Sequence, residues 1–211
     1  MNNLLQGNVL DRIKDIPSKS IQCVVTSPPY WGLRNYGEDE QLGLEDTPEE
    51  YVHNMVQVFR GVRNTMKDDG TLWLNIGDSY ASSGQFGKPG EQAIGPKELS
   101  YGRAPTPPGL KVKDLVGIPW RLAFALQRDD WFLRQDIIWA KGNPMPESVK
   151  DRCTKSHEYI FLLTKSPKYY YDYKAIAEKS IHFETDKRAL KGRVPHKSGK
   201  SASKDNQYAI D

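Results

Sequence analysis

Cysteine is nearly missing: Cys23 and Cys153 are the only two in 211 residues, too few for a disulfide framework, so packing and hydrogen bonding must hold the chain together. No apolar run is long enough to span a bilayer and no secretory signal opens the chain, so the expectation is a cytoplasmic protein with no membrane partner. Histidine is scarce as well, and His157 beside Glu158 falls short of the ligands that zinc requires, leaving no metal site to assign. Gly84, Gly87 and Gly90 are spaced three apart with no strand leading into them, which excludes a dinucleotide-binding G-x-G-x-x-G loop at that place. A strong net charge is also lacking, Lys+Arg 30 against Asp+Glu 27 giving only +3. The balance is nevertheless uneven: residues 1–110 hold 10 basic against 14 acidic groups, residues 111–164 hold 9 against 7, and residues 165–211 hold 11 against 6. A basic second half suits contact with a polyanion, and its last thirty residues suit a solvated tail equally well.

What is present is organised around Thr26-Ser27-Pro28-Pro29-Tyr30-Trp31-Gly32-Leu33-Arg34. Ile21, Val24 and Val25 read as a short buried strand, and the two prolines stop it from continuing as a ladder or a helix. A rigid polar-aromatic corner therefore sits at a strand's carboxyl end, where open α/β sheets place their ligands. The Ser27 hydroxyl and the Pro28 carbonyl accept hydrogen bonds there, and Tyr30 with Trp31 offers an aromatic face. Two acceptors beside a flat apolar surface suit a planar group carrying NH2, such as the amino edge of cytosine or adenine.

In chain order, Leu4 to Leu10 predicts a short strand and turn, and Asp11 to Ile16 a helix that Pro17 stops. Thr47, Pro48 and Glu50 announce a longer helix whose core face is Val52, Met55, Val56, Phe59, Val62 and Met66, with Asp69-Gly70 as its end. Thr71 to Ile76 predicts a strand leading into Gly77-Asp78-Ser79-Tyr80, where Asp78 is either a ligand contact or a helix cap. Residues 81–110, rich in Gly, Pro and Ser, read as a mobile functional loop or as disorder. Leu115, Ile118, Leu122, Ala125 and Leu126 mark a second helix, opened or kinked by Pro119. Trp131 to Trp139 and Tyr159 to Leu163 are strands, and Tyr169 to Tyr173 an aromatic, hairpin-like edge. Between the two strands, Lys141 and Arg152 lie in a proline-interrupted loop suited to phosphate contact. The expected organisation is an α/β domain over residues 1–174 containing the mobile loop 81–110, then a basic, flexible region over residues 175–211.

Ser27-Pro28-Pro29-Tyr30 after a hydrophobic strand resembles the catalytic motif of the DNA amino-methyltransferases, which methylate cytosine N4 or adenine N6 with S-adenosylmethionine. The block running from Trp139 through Lys141, Asn143-Pro144, Arg152 and His157-Glu158 into the apolar strand resembles a downstream region of the same family. The likeness extends from about residue 4 to residue 174. It implies a Rossmann-like, S-adenosylmethionine-dependent methyltransferase sheet, with double-stranded DNA as partner. Ser27, Pro28, Pro29 and Tyr30 are then catalytic, Ser27 and the Pro28 carbonyl holding the target amino group while Tyr30 stacks on a flipped-out base. Asn8 stands where the family usually has an acid near the adenosine, so Asn8, Ser27 and Asp78 become cofactor residues. Trp31, Arg34, Lys141, Arg152, Lys187, Arg188, Lys191 and Arg193 become DNA contacts. In members whose catalytic motif comes first, a glycine-rich loop for the methionine end of the cofactor follows the recognition region, and these 211 residues contain no such loop. The expected sheet is thus incomplete, its cofactor half supplied by a C-terminal continuation or a second chain. Two other readings stay open: a non-catalytic DNA-binding module descended from such an enzyme, and an RNA or protein amide methyltransferase with a similar corner.

Overall fold

The computed structural model describes residues 4–33, 35–38, 41–81 and 106–178. Arg34, most of the 81–110 loop, and Lys187, Arg188, Lys191 and Arg193 lie outside the described residues. By its contacts the chain divides into two units, Met1–Tyr169 and Tyr170–Asp211.

The first unit is built on four strands: β1 (Ile21–Thr26), β2 (Met66–Ile76), β3 (Phe132–Ala140) and β4 (His157–Thr164). Their spatial order is β1-β2-β4-β3; β1 and β2 run parallel, and β4 is antiparallel to both of its neighbours. Parallel strands cannot be joined by a tight turn, so a crossover is required. Helix α2 (Pro48–Thr65) supplies it, and its start is encoded locally. The Thr47 hydroxyl accepts the Glu50 N–H at 3.2 Å, Pro48 occupies the first turn, and Glu49 and Glu50 complement the positive end of the helix dipole.

The sequence predicts that this helix runs to Asp69-Gly70, and the structure ends it sooner, at Thr65. Thr65 turns its hydroxyl back onto the Val62 carbonyl at 2.9 Å, and Met66 is already extended, fully buried and paired with Ile21. Asp68, Asp69 and Gly70 instead fall within β2, between the Ile21–Met66 and Cys23–Thr71 pairs where the ladder shifts register. No loop separates helix from strand.

Alternation along β2 sends Leu72, Leu74 and Ile76 to one face, where they are wholly buried under α2 and α3 (Ile118–Arg128) together with Phe161 and Leu163. Each such side chain contributes roughly 1.5–3 kcal/mol of hydrophobic stabilisation. Trp120 of α3 sets its ring edge-on to Tyr159 and Phe161, with centroids 5.7 and 5.1 Å apart. Pro119 opens α3 rather than kinking it, and Leu115 lies before the helix, in a bridge with Tyr80. The opposite face of the sheet is only half covered.

Two expected elements take other forms. Residues 4–8 make no strand; the Asn8 side chain accepts the Leu10 N–H at 2.9 Å and caps α1 (Val9–Arg12), which continues as one 3-10 turn over Ile13–Asp15. Side-chain capping by Asn stabilises a helix start in competition with a ladder. Nor is Tyr169 to Tyr173 a hairpin: within the second unit the Asp172 carboxylate accepts the Lys174 and Ala175 N–H groups, closing a turn. No helix among the described residues is long and apolar enough to cross a membrane.

Candidate active site

Strand β1 delivers Ser27 to an exposed position at its carboxyl end, and the following prolines hold the chain away from the sheet. Among the described residues, no hydrogen bond engages the Ser27 hydroxyl or the Pro28 carbonyl. The Pro29 carbonyl is taken, accepting the Tyr51 hydroxyl at 2.8 Å from inside α2. The corner is thereby tied to the core from beneath while two acceptors stay free above.

Tyr30 is fixed at both ends of its side chain. Its ring packs so closely on Gly77 that a Cβ there would lie 2.8 Å from Cε2. The single phenolic proton lies between two acceptors, Asn75 Oδ1 at 2.9 Å and Glu158 Oε2 at 3.0 Å. Asn75 is oriented in turn by donating to the Tyr159 carbonyl at 3.1 Å, and the other oxygen of Glu158 receives the Lys141 ammonium. Burial, then the hydrogen bond and charge of Glu158, push the Tyr30 phenol far above its ordinary range, so it remains a donor. Burial works to raise Glu158, but hydrogen bonds from Lys141 and Tyr30 together with the lysine's charge outweigh it and hold the carboxyl below its usual value. A phenol braced on a carboxylate and an amide presents its ring in one orientation.

Beside this corner a cleft of about 610 Å³ opens, lined by Trp31, Leu33, Asp78, Tyr80, Glu147 and Arg152 among others. Trp31 is only 6% exposed and donates its indole N–H to the Glu45 carbonyl at 2.8 Å, so it forms a wall of the cleft rather than an open stacking surface. Arg152 lies over the Tyr80 ring at 3.9 Å and pairs with Glu147 at 2.6 Å. Asp78 accepts from the backbone of Gly117, Ile118 and Ser79 at 2.9 to 3.0 Å and so secures the start of α3. Its carbonyl accepts Lys155 Nζ at 2.9 Å, and burial draws that ammonium's pKa down against the pull of Asp78 and Glu158.

Of the residues singled out in the sequence, the structure brings Ser27, Pro28, Pro29 and Tyr30 into one corner, with Lys141 attached to it through Glu158. Trp31, Asp78 and Arg152 line the adjoining cleft. Asn8 is a helix cap. Sequence reasoning missed Tyr51, Asn75 and Gly77 and assigned Glu158 no site role. Tyr51 was the most findable, because a tyrosine in phase with Met55 on a buried face must still place its hydroxyl.

The mixed α/β sheet that carries this corner has the Rossmann-like fold of solved methyltransferases. A family model for N6/N4 DNA methylases matches residues 21–207. The chain belongs to this DNA methylase family. It is 54% identical over 185 residues to the type II methyltransferase M.SmaI of Serratia marcescens, a match covering 88% of this chain and 63% of that protein. The chain spans about three fifths of the length of the curated relatives that it matches at 54% identity. Its fold matches the PvuII DNA methyltransferase, described as cytosine-N4-specific, at a TM-score of 0.57 with 16% identity, covering 97% of this chain and 67% of the other. A Thermus thermophilus protein solved as a complex with S-adenosyl-L-methionine shares the fold at a TM-score of 0.52 with 20% identity, covering 80% of this chain and 55% of that one.

Proposed function

We propose that this chain is the target-base part of a DNA amino-methyltransferase of the type II restriction-modification kind, acting on cytosine N4 or adenine N6. The observation that carries the reading is the pair of free acceptors, the Ser27 hydroxyl and the Pro28 carbonyl, held beside a Tyr30 ring that cannot turn. Each acceptor takes one N–H of a planar amino group, which turns the nitrogen lone pair out of the base plane. The base reaches the corner only after leaving the stack, and Tyr30 then supports one of its faces. The basic residues after position 165 meet phosphates.

S-adenosylmethionine supplies the methyl group when bound. The described residues do not build its pocket alone: Asn8 and Asp78 spend their side chains on helix starts. The remaining cofactor contacts are assigned to a C-terminal continuation or a second chain. The proton displaced from the methylated nitrogen leaves past the exposed Ser27 hydroxyl into solvent.

The test is reconstitution. The part of M.SmaI outside the matched region is added in cis or in trans, and transfer of labelled methyl groups to double-stranded DNA is measured, with nucleoside analysis to separate N4-methylcytosine from N6-methyladenine. Ser27→Ala removes one acceptor, and Tyr30→Ala removes base stacking worth roughly 1–3 kcal/mol. Both variants should lose most of their turnover while keeping their fold. Near-normal turnover by both would reject the assigned roles.

A further inference from the structure

Glu45, two residues before the cap of α2, engages all three of its oxygens without meeting a cation. Its carbonyl accepts the Trp31 indole N–H at 2.8 Å, one carboxylate oxygen accepts the Gly43 N–H at 2.9 Å, and the other accepts the Asn54 side-chain amide at 3.0 Å. Among the described residues it forms no ion pair. A half-buried carboxylate held only by neutral donors carries a desolvation cost, and the geometry shows what requires it. A glutamine would turn its NH2 toward one of the two donors, whereas a carboxylate accepts from both.

Gly43, so held, is pressed against the catalytic corner. It has φ +96°, and a Cβ there would lie 3.1 Å from the Pro29 Cβ and 3.2 Å from the Tyr30 carbonyl oxygen. Its own carbonyl accepts the Gly32 N–H at 2.8 Å, which closes the base of the loop whose Leu33 lines the cleft. Pro29 is thereby engaged twice, by Gly43 against its ring and by the Tyr51 hydroxyl on its carbonyl. Tyr51 and Asn54 stand three apart on α2, on one side of the helix, so one rigid element serves both attachments. Burial first, and then the charge of Glu45, raises the Tyr51 phenol above its ordinary range and keeps it a donor.

The Pro28 carbonyl lies in the same planar peptide as the Pro29 ring nitrogen, so whatever fixes that ring fixes the direction of the carbonyl. We infer that Glu45 is a positioning residue for methyl transfer: through Gly43 and Pro29 it aims the Pro28 carbonyl at the target amino group, and through Trp31 it sets the wall of the cleft. Misdirecting an acceptor by a fraction of an ångström disturbs the turning of the nitrogen lone pair more than it disturbs binding, so the loss should fall on the transfer step. For the reaction it serves, this role rests on the methyltransferase reading; the clamp on Pro29 does not.

Two measurements on Glu45→Gln test this role. In the chain alone, amide hydrogen exchange at Gly32 and Gly43 should quicken by about tenfold, with the core amides of Leu72 and Leu74 unchanged. In the enzyme reconstituted with the part of M.SmaI outside the matched region, the single-turnover rate per DNA-bound enzyme should fall by about tenfold to a hundredfold, while KM for double-stranded DNA and for S-adenosylmethionine stays within about twofold. Asn54→Ala, which removes one donor and suits a helix, should show the same pattern less steeply should Glu45→Gln fail to fold. Asp46→Asn, at an exposed carboxylate one residue on that has no partner among the described residues, should change neither readout. Unchanged exchange in the Glu45 and Asn54 variants would overturn the clamp. Faster exchange with an unchanged transfer rate, or a raised KM with an unchanged rate, would overturn its catalytic use. A parent enzyme that binds DNA without methylating it would reject the proposed function and this use of the clamp with it, whereas an active parent beside an unaffected Glu45→Gln would reject this role alone.

Discussion

Gly77→Ala is the most direct test of the way Tyr30 is held. The added methyl would sit 2.8 Å from the ring, roughly 0.6 Å inside the closest ordinary contact. A free tyrosine would swing aside cheaply. This one is pinned at its hydroxyl by Asn75 and Glu158, so moving the ring means lengthening both bonds. Overpacking of this kind costs about 1–3 kcal/mol, and Tyr30→Phe, which gives up the hydroxyl, costs about 1–2 kcal/mol. In the double variant the ring is free to retreat, so the two losses should fall short of additivity by about 1 kcal/mol. Urea or thermal unfolding of this chain measures the cycle without any need for activity, and each kcal/mol moves the midpoint by about 2–4 °C in a chain of this size. A neutral Gly77→Ala, or strictly additive losses, would show that the hydroxyl does not fix the ring. In a reconstituted enzyme the same alanine should lower turnover by on the order of a hundredfold, the usual consequence of a displacement of about 1 Å at a reacting centre.

Glu158 gives a pH test. Its folded carboxyl titrates below its ordinary value, so its stabilisation is complete above the unfolded value of about 4.3 and is lost as pH falls through the lower folded value. Glu158→Gln should be destabilising at neutral pH and progressively less so in acid, as followed by unfolding midpoints across that range. A difference from the parent chain that does not vary with pH would refute the linkage. DNA binding should weaken steeply with salt, and neutralising Lys187, Arg188, Lys191 and Arg193 together should flatten that slope; an unchanged slope would make those residues a solvated extension. Calorimetry on the 211-residue chain alone should find S-adenosylmethionine binding at least about a thousandfold weaker than in the reconstituted enzyme, equivalent to about 4 kcal/mol of missing contacts. Micromolar binding by the chain alone would refute the split pocket.

Local rules wrote much of this fold openly. Thr47, Pro48 and Glu50 place the start of α2, Val24-Val25 before Pro28 places the end of β1, and the apolar runs at Trp131 and Tyr159 find β3 and β4. What escaped depends on pairs distant in sequence. The end of α2 is decided at Met66 by pairing with Ile21, which no helical periodicity reports. The bracing of Tyr30 joins positions 30, 75 and 158, and Asn75 looks like any polar residue on a strand until Tyr30 is laid over it. Asp78 carried both meanings in sequence, and its backbone partners at Gly117 and Ile118 lie across the longest irregular stretch of the chain. A helix start such as Thr47-Pro48-Glu50 is legible because its signals act within a few residues; a network closed by tertiary contact has no comparable local signature.

The chain on either side of residues 82–105 is stitched together. Ala81 donates to the Asp114 carbonyl at 2.8 Å, Lys113 to the Ala81 carbonyl at 2.9 Å and Val116 to the Ser79 carbonyl at 2.9 Å, while Asp78 clasps the start of α3. Whatever leaves the sheet after Ala81 must return at the same spot. Polymer statistics then make the length between nearly free, since doubling a closed excursion costs only about 0.6 kcal/mol. Insertions, deletions and wholesale exchange should therefore be tolerated there without disturbing Tyr30 or the core.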